Sequence, residues 1–133
     1  MSEGPTISRR LQPGFIIVTT DDALVRELRE VAGEDWEVAP VGAIEDAGDW
    51  NEILLYRFIL LDLDSCVGDP AEQVRSLRQE SMVNTPVFGV GGTREDQDRV
   101  RPQGADRFFG RDEIADKLPE FLAALGWGGK GQG

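Results

Sequence analysis

Short apolar runs alternate along this chain with longer stretches in which apolar residues recur every three or four positions. The clearest runs cover residues 15–18, 58–61 and 86–90, and weaker ones cover 36–38 and 107–109. A continuous apolar run of this length is typical of a strand that is buried on both of its faces. The pattern therefore predicts five strands.

The stretches between the runs predict helices. Leu24 and Leu28 lie at helical spacing after Asp21, whose side chain can accept hydrogen bonds from the free N–H groups of a first turn. A short helix is predicted at about 43–49, where Gly48 weakens the pattern.

Three proline residues mark the limits of the later helices. Asp69 and Pro70 form an N-cap followed by proline at the first helical position, which predicts a helix to about residue 80. Pro102 must end a polar helix that starts near Thr93. Pro119 lies inside the last apolar stripe, 114–125, and predicts a kink or a restart of that helix.

Strands that alternate with helices indicate an α/β protein with a parallel sheet covered by helices on both faces. The length of 133 residues suits one domain. We assign that domain to residues 14–126. Residues 1–13 are expected to be a flexible lead-in, and the glycine-rich residues 127–133 a flexible tail.

The amino-acid composition limits the kinds of site and partner that the chain can have. The chain has no histidine and a single cysteine, Cys66, which excludes zinc sites built from histidine and cysteine, histidine-based nucleophile systems and an internal disulfide. The formal net charge of −11 argues against direct binding to nucleic acids or to anionic membranes. Low cysteine content and the lack of a membrane-spanning run or a signal-peptide core predict a cytoplasmic protein.

In parallel α/β sheets, ligands bind beyond the carboxyl ends of the strands. The loops at that edge carry the candidate residues. They are 19–22 after the first strand, 62–64 after the third, 91–92 after the fourth and 110–111 after the fifth.

Four segments together resemble the CheY-like receiver family of bacterial response regulators, over roughly residues 15–125. They are Phe-Ile-Ile-Val at 15–18, a strand that ends in Asp62, Thr-Pro-Val-Phe at 85–88 and Gly-Ala-Asp at 104–106. The resemblance implies a flavodoxin-like three-layer α/β/α sandwich with a five-stranded parallel sheet in the order 2-1-3-4-5. It also implies a role in a two-component system and phosphorelay signal transduction.

The resemblance implies a specific site, which this sequence keeps only in part. Asp62 falls at the phosphoacceptor position. The acidic pair that holds Mg²⁺ in the family is replaced by Thr19 and Thr20, the switch hydroxyl by Gly91, and the lysine by Arg111. Neutral hydroxyls are poor substitutes for carboxylates around Mg²⁺, and the planar guanidinium of arginine is not equivalent to an ammonium group.

An alternative keeps a metal site. If the register after the first strand is shifted by two residues, Asp21 and Asp22 fall at the acidic-pair positions, and Asp64 offers a further carboxylate near Asp62. No cofactor is expected otherwise, and Mg²⁺ only if the phosphorylation site is functional.

The sequence therefore predicts an atypical receiver, or pseudo-receiver, that is not an enzyme and acts by binding a protein partner. That partner would be a histidine kinase, an output domain or another signalling protein. The resemblance also implies a surface for a homodimer, formed by the fourth helix, fifth strand and fifth helix. A receiver that is phosphorylated on Asp62 is the first alternative. A small flavodoxin-like ligand-binding module is the second.

Overall fold

A computed structural model describes residues 12–130, the last five of them by their backbone alone. Five parallel strands form one sheet in the order β2-β1-β3-β4-β5. The strands are β1 (Gly14–Val18), β2 (Glu37–Val41), β3 (Phe58–Asp62), β4 (Val87–Val90) and β5 (Arg107–Phe109). This confirms the predicted fold class and the predicted strand order.

Four helices connect the strands and a fifth follows β5, so that helices cover both faces of the sheet in the described part of the chain. They are α1 (Asp22–Ala32), α2 (Trp50–Ile53), α3 (Pro70–Arg75), α4 (Arg94–Val100) and α5 (Ile114–Lys130). A 3-10 turn, Ile44–Ala47, precedes α2, a π turn, Ser76–Glu80, continues α3, and a second 3-10 turn, Arg101–Gln103, follows α4.

Polar side chains fix the starts of three helices. Asp21 accepts a hydrogen bond from the backbone N–H of Ala23 at 2.9 Å, and Asp69 accepts one from Ala71 at 3.0 Å. Thr93 accepts one from Asp96 at 3.1 Å. Each such cap typically contributes about 1 kcal/mol to stability, so these residues set the chain positions at which the loops of the site give way to helices.

The two-residue repeat of the strands divides the core into two layers. Phe15 and Ile17 point to the side of the sheet that α1 and α5 cover, where they pack with residues such as Leu28 and Leu118. Ile16 and Val18 point to the other side, toward α2 and α3. Neighbouring side chains of a strand point to opposite faces, so a fully apolar run is what a strand between two helical layers requires.

Two short segments differ from the sequence prediction. The second strand is Glu37–Val41 rather than 36–38, and Trp36 instead packs against Phe15 and Phe58, with ring centroids 6.1 Å and 5.9 Å away. The helix predicted at 43–49 is split at Gly48, whose φ of +114° lies in the region that glycine favours.

Pro119 does not restart the last helix. α5 is one continuous helix through this residue. An interior proline removes one backbone hydrogen bond and crowds the carbonyl four residues earlier, at a cost of about 3 kcal/mol, and the packing of Ile114, Leu118 and Phe121 into the core offsets this cost. The helical backbone continues to Lys130, past the boundary that we placed at residue 126.

Most of the predicted lead-in and the end of the predicted tail lie outside the described residues. Within residues 12–130, the segment before β1 makes specific contacts: the Gln12 side chain donates to the carbonyl of Glu34 at 2.8 Å, and Glu37 donates its N–H to the carbonyl of Pro13 at 2.9 Å. No helix in this part of the chain is long and apolar enough to cross a membrane.

Candidate functional site

The register of the central strands brings the candidate residues to one edge of the sheet. Val18 of β1 lies beside Leu61 of β3, so the next residues, Thr19 and Asp62, are neighbours. Leu63 donates its N–H to the carbonyl of Val90 at the end of β4 at 2.9 Å. The carboxyl ends of β1, β3 and β4 therefore meet at Asp62.

Asp62 is fully buried, with 0% of its surface exposed. Its Oδ2 accepts a hydrogen bond from the Thr19 hydroxyl at 2.7 Å and another from Arg111 Nη1 at 2.8 Å. Its Oδ1 accepts from the backbone N–H of Asp64 at 3.0 Å. A buried carboxylate is stable only when it is paired and hydrogen-bonded, and here residues of the same chain engage both oxygens.

Arg111 joins two carboxylates that are far apart in the sequence. It reaches the site from the turn after β5, which Gly110 closes by donating its N–H to Glu113 Oε1 at 2.6 Å. Besides Asp62, its guanidinium forms a salt bridge with Asp21. The hydrogen bond to Asp62 contributes most to raising the pKa of Arg111, so the group is a permanent cation.

Thr19 links the carboxylate of Asp62 to the backbone of Asp21 through its hydroxyl group. The Thr19 Oγ1 that donates to Asp62 also accepts the backbone N–H of Asp21 at 3.0 Å. Thr20 has a different role: its side chain is exposed, and its N–H donates to the carbonyl of Ser65 at 2.8 Å. Only the first of the two threonines at the acidic-pair positions therefore contacts Asp62.

Asp21 combines helix capping with the salt bridge to Arg111. Desolvation raises the pKa of Asp21, but the N–H groups of Ala23 and Leu24 and the charge of Arg111 together outweigh it, and the pKa lies below its usual value. The carboxylate is thus held in its charged form by backbone dipoles and by a guanidinium.

This lowered pKa predicts a pH-dependent stability. A carboxyl group whose pKa is lower in the folded state stabilises the protein above its unfolded pKa of about 3.9 and loses that contribution as the pH falls through its folded pKa. The variant Asp21→Asn keeps an oxygen for capping but has no charge. We expect the difference in free energy of unfolding between wild type and variant, measured by urea denaturation, to be constant from neutral pH to about pH 5 and to shrink below it. Parallel curves down to the acid limit would contradict this.

Asp64 fills the space at the end of β4 that a larger residue would need. A Cβ atom added at Gly91 would lie 2.2 Å from Asp64 Oδ2, and Oδ1 of the same carboxylate accepts the N–H of Gly92 at 3.1 Å. Gly91 also has φ of +72°, which side chains rarely adopt. In place of a hydroxyl, this corner holds a third carboxylate.

Cys66 lies in the loop after Asp62, half-buried and reduced. Burial raises the pKa of its thiol, and the charge of Asp62 raises it further. Since the thiolate is the reactive form of cysteine, this environment disfavours the reactive form of Cys66.

The residues at this edge do not fit a magnesium ion. Mg²⁺ needs several oxygen ligands at short range in near-octahedral geometry. The three carboxylates here have other partners: Asp62 and Asp21 contact Arg111, and Asp64 contacts the backbone of Gly92. Within residues 12–130, no group of three acidic or cysteine side chains is arranged to hold a metal ion.

Sequence reasoning identified each residue at this edge but missed two contacts. It treated Asp21 as a helix cap, whereas the structure also pairs it with Arg111. It offered Asp64 only as a further carboxylate for a metal site, whereas in the structure this carboxylate accepts the N–H of Gly92. The glycine pair at 91–92 was the one available signal, because two residues without side chains leave room for a neighbour.

The sequence matches no protein-family model and no curated protein. Its fold, in contrast, matches many solved structures. A response regulator signal receiver domain from Bermanella marisrubri superposes with a TM-score of 0.71 and 24% identity, over 86% of this chain and 98% of that one.

Two other similar structures are those of a phosphorylated response regulator and of a magnesium-bound receiver domain. The phosphorylated cyanobacterial phytochrome response regulator RcpA has a TM-score of 0.69 and 18% identity, over 85% of this chain and 95% of that chain. The receiver domain of a sensor histidine kinase from Pseudomonas aeruginosa, with magnesium coordinated in its active-site cleft, has a TM-score of 0.66 and 16% identity, over 86% and 97%. At these identities the likeness establishes the fold: this chain has the fold of response regulator receiver domains.

Proposed function

We propose that this chain is a receiver-like signalling domain that acts by binding a protein partner and does not use Mg²⁺-dependent phosphorylation of Asp62. In this role the chain catalyses no reaction, because its partner is bound and not converted. The observation that carries it is the state of Asp62, a fully buried carboxylate with Thr19, Arg111 and the N–H of Asp64 on its two oxygens.

Phosphorylation of Asp62 requires three things that this arrangement opposes. A carboxylate oxygen must be free to attack, an incoming phosphoryl group must find its negative charge neutralised, and the change must alter contacts elsewhere. Here the oxygens are engaged, and Asp64 adds negative charge beside the position of Gly91. No side chain at Gly91 is available to follow a phosphoryl group.

Arg111 supports a fixed rather than a switched site. Its guanidinium lies between Asp62 and Asp21 and supplies the positive charge that these two carboxylates need. A cation that is covalently part of the chain does not dissociate, so the arrangement does not depend on metal concentration. We infer that the surface formed by this domain is constitutively in one state.

The face expected from the sequence to contact a partner is formed by α4, β5 and α5. It carries arginine side chains stacked over aromatic rings: Arg101 over Phe108 at 4.8 Å and Arg107 over Phe109 at 5.1 Å. None of the large exposed hydrophobic residues of the described chain lies on it. A homodimer or partner contact through this face stays a prediction.

A titration with Mg²⁺, with and without beryllofluoride as a phosphoryl mimic, tests the proposal. We expect no change in the amide chemical shifts of Asp62, Gly91 and Arg111 at millimolar Mg²⁺, because no oxygen ligands are free to converge on the ion. Shifts at these residues that extend into α5 would overturn the proposal and favour a phosphorylated receiver. The magnesium-containing receiver domain from Pseudomonas aeruginosa, titrated in the same buffer, is the positive control.

A further inference from the structure

A groove between α2 and α3 is separate from the edge that holds Asp62. It has a volume of about 340 Å³, and its floor is formed by Ile44, Ile53 and Leu77, all buried. Two helical segments form its walls, the 3-10 turn with α2 on one side and α3 with its π turn on the other.

The rim of this groove exposes large apolar side chains. Trp50, at the start of α2, lines the groove and has 56% of its surface exposed. Leu54 lies one helical turn later, with its N–H bonded to the carbonyl of Trp50 at 3.0 Å, and is 50% exposed. Residues four apart share one side of a helix, so two large exposed apolar side chains lie on the same side of α2, and exposed apolar surface of this kind is typical of interaction sites.

The same rim is strongly acidic. Glu45 and Asp49 line the groove. Asp46 follows Glu45 in the sequence, Glu52 accepts the N–H of Asp49 at 2.9 Å, and residues 43–55 contain no lysine or arginine. No salt bridge to a cation of the described chain neutralises these four carboxylates. On the opposite wall, Arg75 is already paired with both Glu72 and Glu80. The groove therefore combines an apolar floor with an uncompensated negative rim.

Gln73 fixes the shape of the groove before any partner arrives. Its Oε1 accepts the N–H of Ile44 at 2.8 Å, and its Nε2 donates to the carbonyl of Val67 at 2.8 Å. This side chain thus ties α3 to the loops after β2 and β3. A site that is ordered in advance loses less conformational entropy on binding.

We propose that this groove is the docking site for a basic amphipathic helix of a partner protein. Apolar residues of that helix would pack against Trp50, Leu54 and the groove floor, while its lysine or arginine residues would face the acidic rim. Binding of a helix in an apolar groove between two helices is a common recognition mode, and the charges speed association and select basic partners.

The negative charge of the rim favours a basic helix over a second copy of this chain or an anionic membrane. A second copy of the chain carries the same net charge of −11 and would bring like charges together at the rim. An anionic membrane surface is repelled in the same way. The inference rests on the proposed function, since it names the surface and the partner chemistry of that protein contact.

The test uses two synthetic peptides of about 16 residues, the length of four to five helical turns. One has leucines at helical spacing and lysines elsewhere, and the other has glutamates in place of the lysines. Titrated into the ¹⁵N-labelled full chain, the lysine peptide is expected to shift amides of residues 44–55 and 73–81, saturably and more weakly at high salt. The glutamate peptide is expected to leave them unchanged.

Two variants test the cause of binding, and a third is their control. Trp50→Ala removes the exposed ring, and Glu45→Lys reverses one charge at the rim. We expect each to weaken binding at least about tenfold. Glu30→Lys is the matched control, because it makes the same charge change on an exposed position of α1, across the sheet, and should leave the affinity nearly unchanged. Circular dichroism confirms that each variant is folded.

Three outcomes would overturn the inference: no saturable shift, shifts centred on α4, β5 and α5, or equal weakening by Glu30→Lys, which would indicate unspecific attraction to an acidic protein. Because the Mg²⁺ titration follows Asp62 and this titration follows the groove, a failure of one is distinguishable from a failure of the other.

Discussion

Replacing Arg111 with methionine should lower the free energy of unfolding by about 2–3 kcal/mol. Removing one partner of an ion pair leaves the other charge uncompensated. When both groups are fully buried, this costs about 3–5 kcal/mol. Arg111 has 30% of its side chain exposed, whereas Asp62 has none. Water can therefore reach part of the vacated space, and we expect a loss below the value for a fully buried pair. Urea denaturation at neutral pH measures the effect.

A double-mutant cycle separates the ion pair from other effects of this substitution. Asp62→Asn removes the charge, keeps one oxygen that can accept the Asp64 N–H, and places an NH₂ group that can donate to the Thr19 hydroxyl. We expect the double variant Asp62→Asn/Arg111→Met to be more stable, by about 2 kcal/mol, than the sum of the single effects predicts. Additive effects would show that Arg111 does not compensate Asp62. Arg94→Met on α4, an exposed arginine, is the control for the substitution itself.

Replacing Phe58 with alanine should destabilise the domain by about 3–5 kcal/mol, the usual cost of deleting a buried phenylalanine. Phe58 is completely buried in β3, stacked on Phe15 with ring centroids 4.8 Å apart and edge-on to Phe121 at 6.0 Å. Its removal leaves a cavity among rings that cannot easily close it. Because β3 also carries Asp62, we expect the site to loosen with it. Thermal and urea unfolding measure the loss.

Leu55→Ala is the matched control for this core substitution. Leu55 is 60% exposed, and a substitution on the surface typically changes stability by no more than about 0.5 kcal/mol. Similar losses for Phe58→Ala and Leu55→Ala would show that the aromatic cluster between the sheet and α5 does not dominate the stability of the fold.

The substitutions at Arg111 and Phe58 test two different properties of β3. Phe58 contributes apolar surface near the start of β3, whereas Asp62 at its end is a buried charge that must be compensated by residues from other elements. Under the proposed function, the chain keeps the core of a receiver fold and holds the edge around Asp62 as a fixed hydrogen-bonded arrangement. This is the physical basis for proposing constitutive binding rather than switching.

The sequence by itself determined the strands, the two-layer core and most of the helix starts. These features depend on local rules: a short apolar run suits a strand covered on both faces, and an Asp or Thr before an apolar stripe caps a helix. It also placed Thr19, Asp62, Gly91 and Arg111 at one edge of the sheet, since the carboxyl ends of parallel strands meet there.

Only the tertiary structure decided how those residues are paired. Arg111 contacts Asp62 across 49 positions of the chain and Asp21 across 90, and no local pattern fixes which of several nearby carboxylates a long side chain reaches. The same holds for Asp64 in the space beside Gly91 and for the groove under Trp50, which exists only where two helical segments from different parts of the chain face each other. Hydrophobic periodicity specifies which face of an element is buried, but side-chain pairing depends on distances that arise only when the whole sheet is assembled.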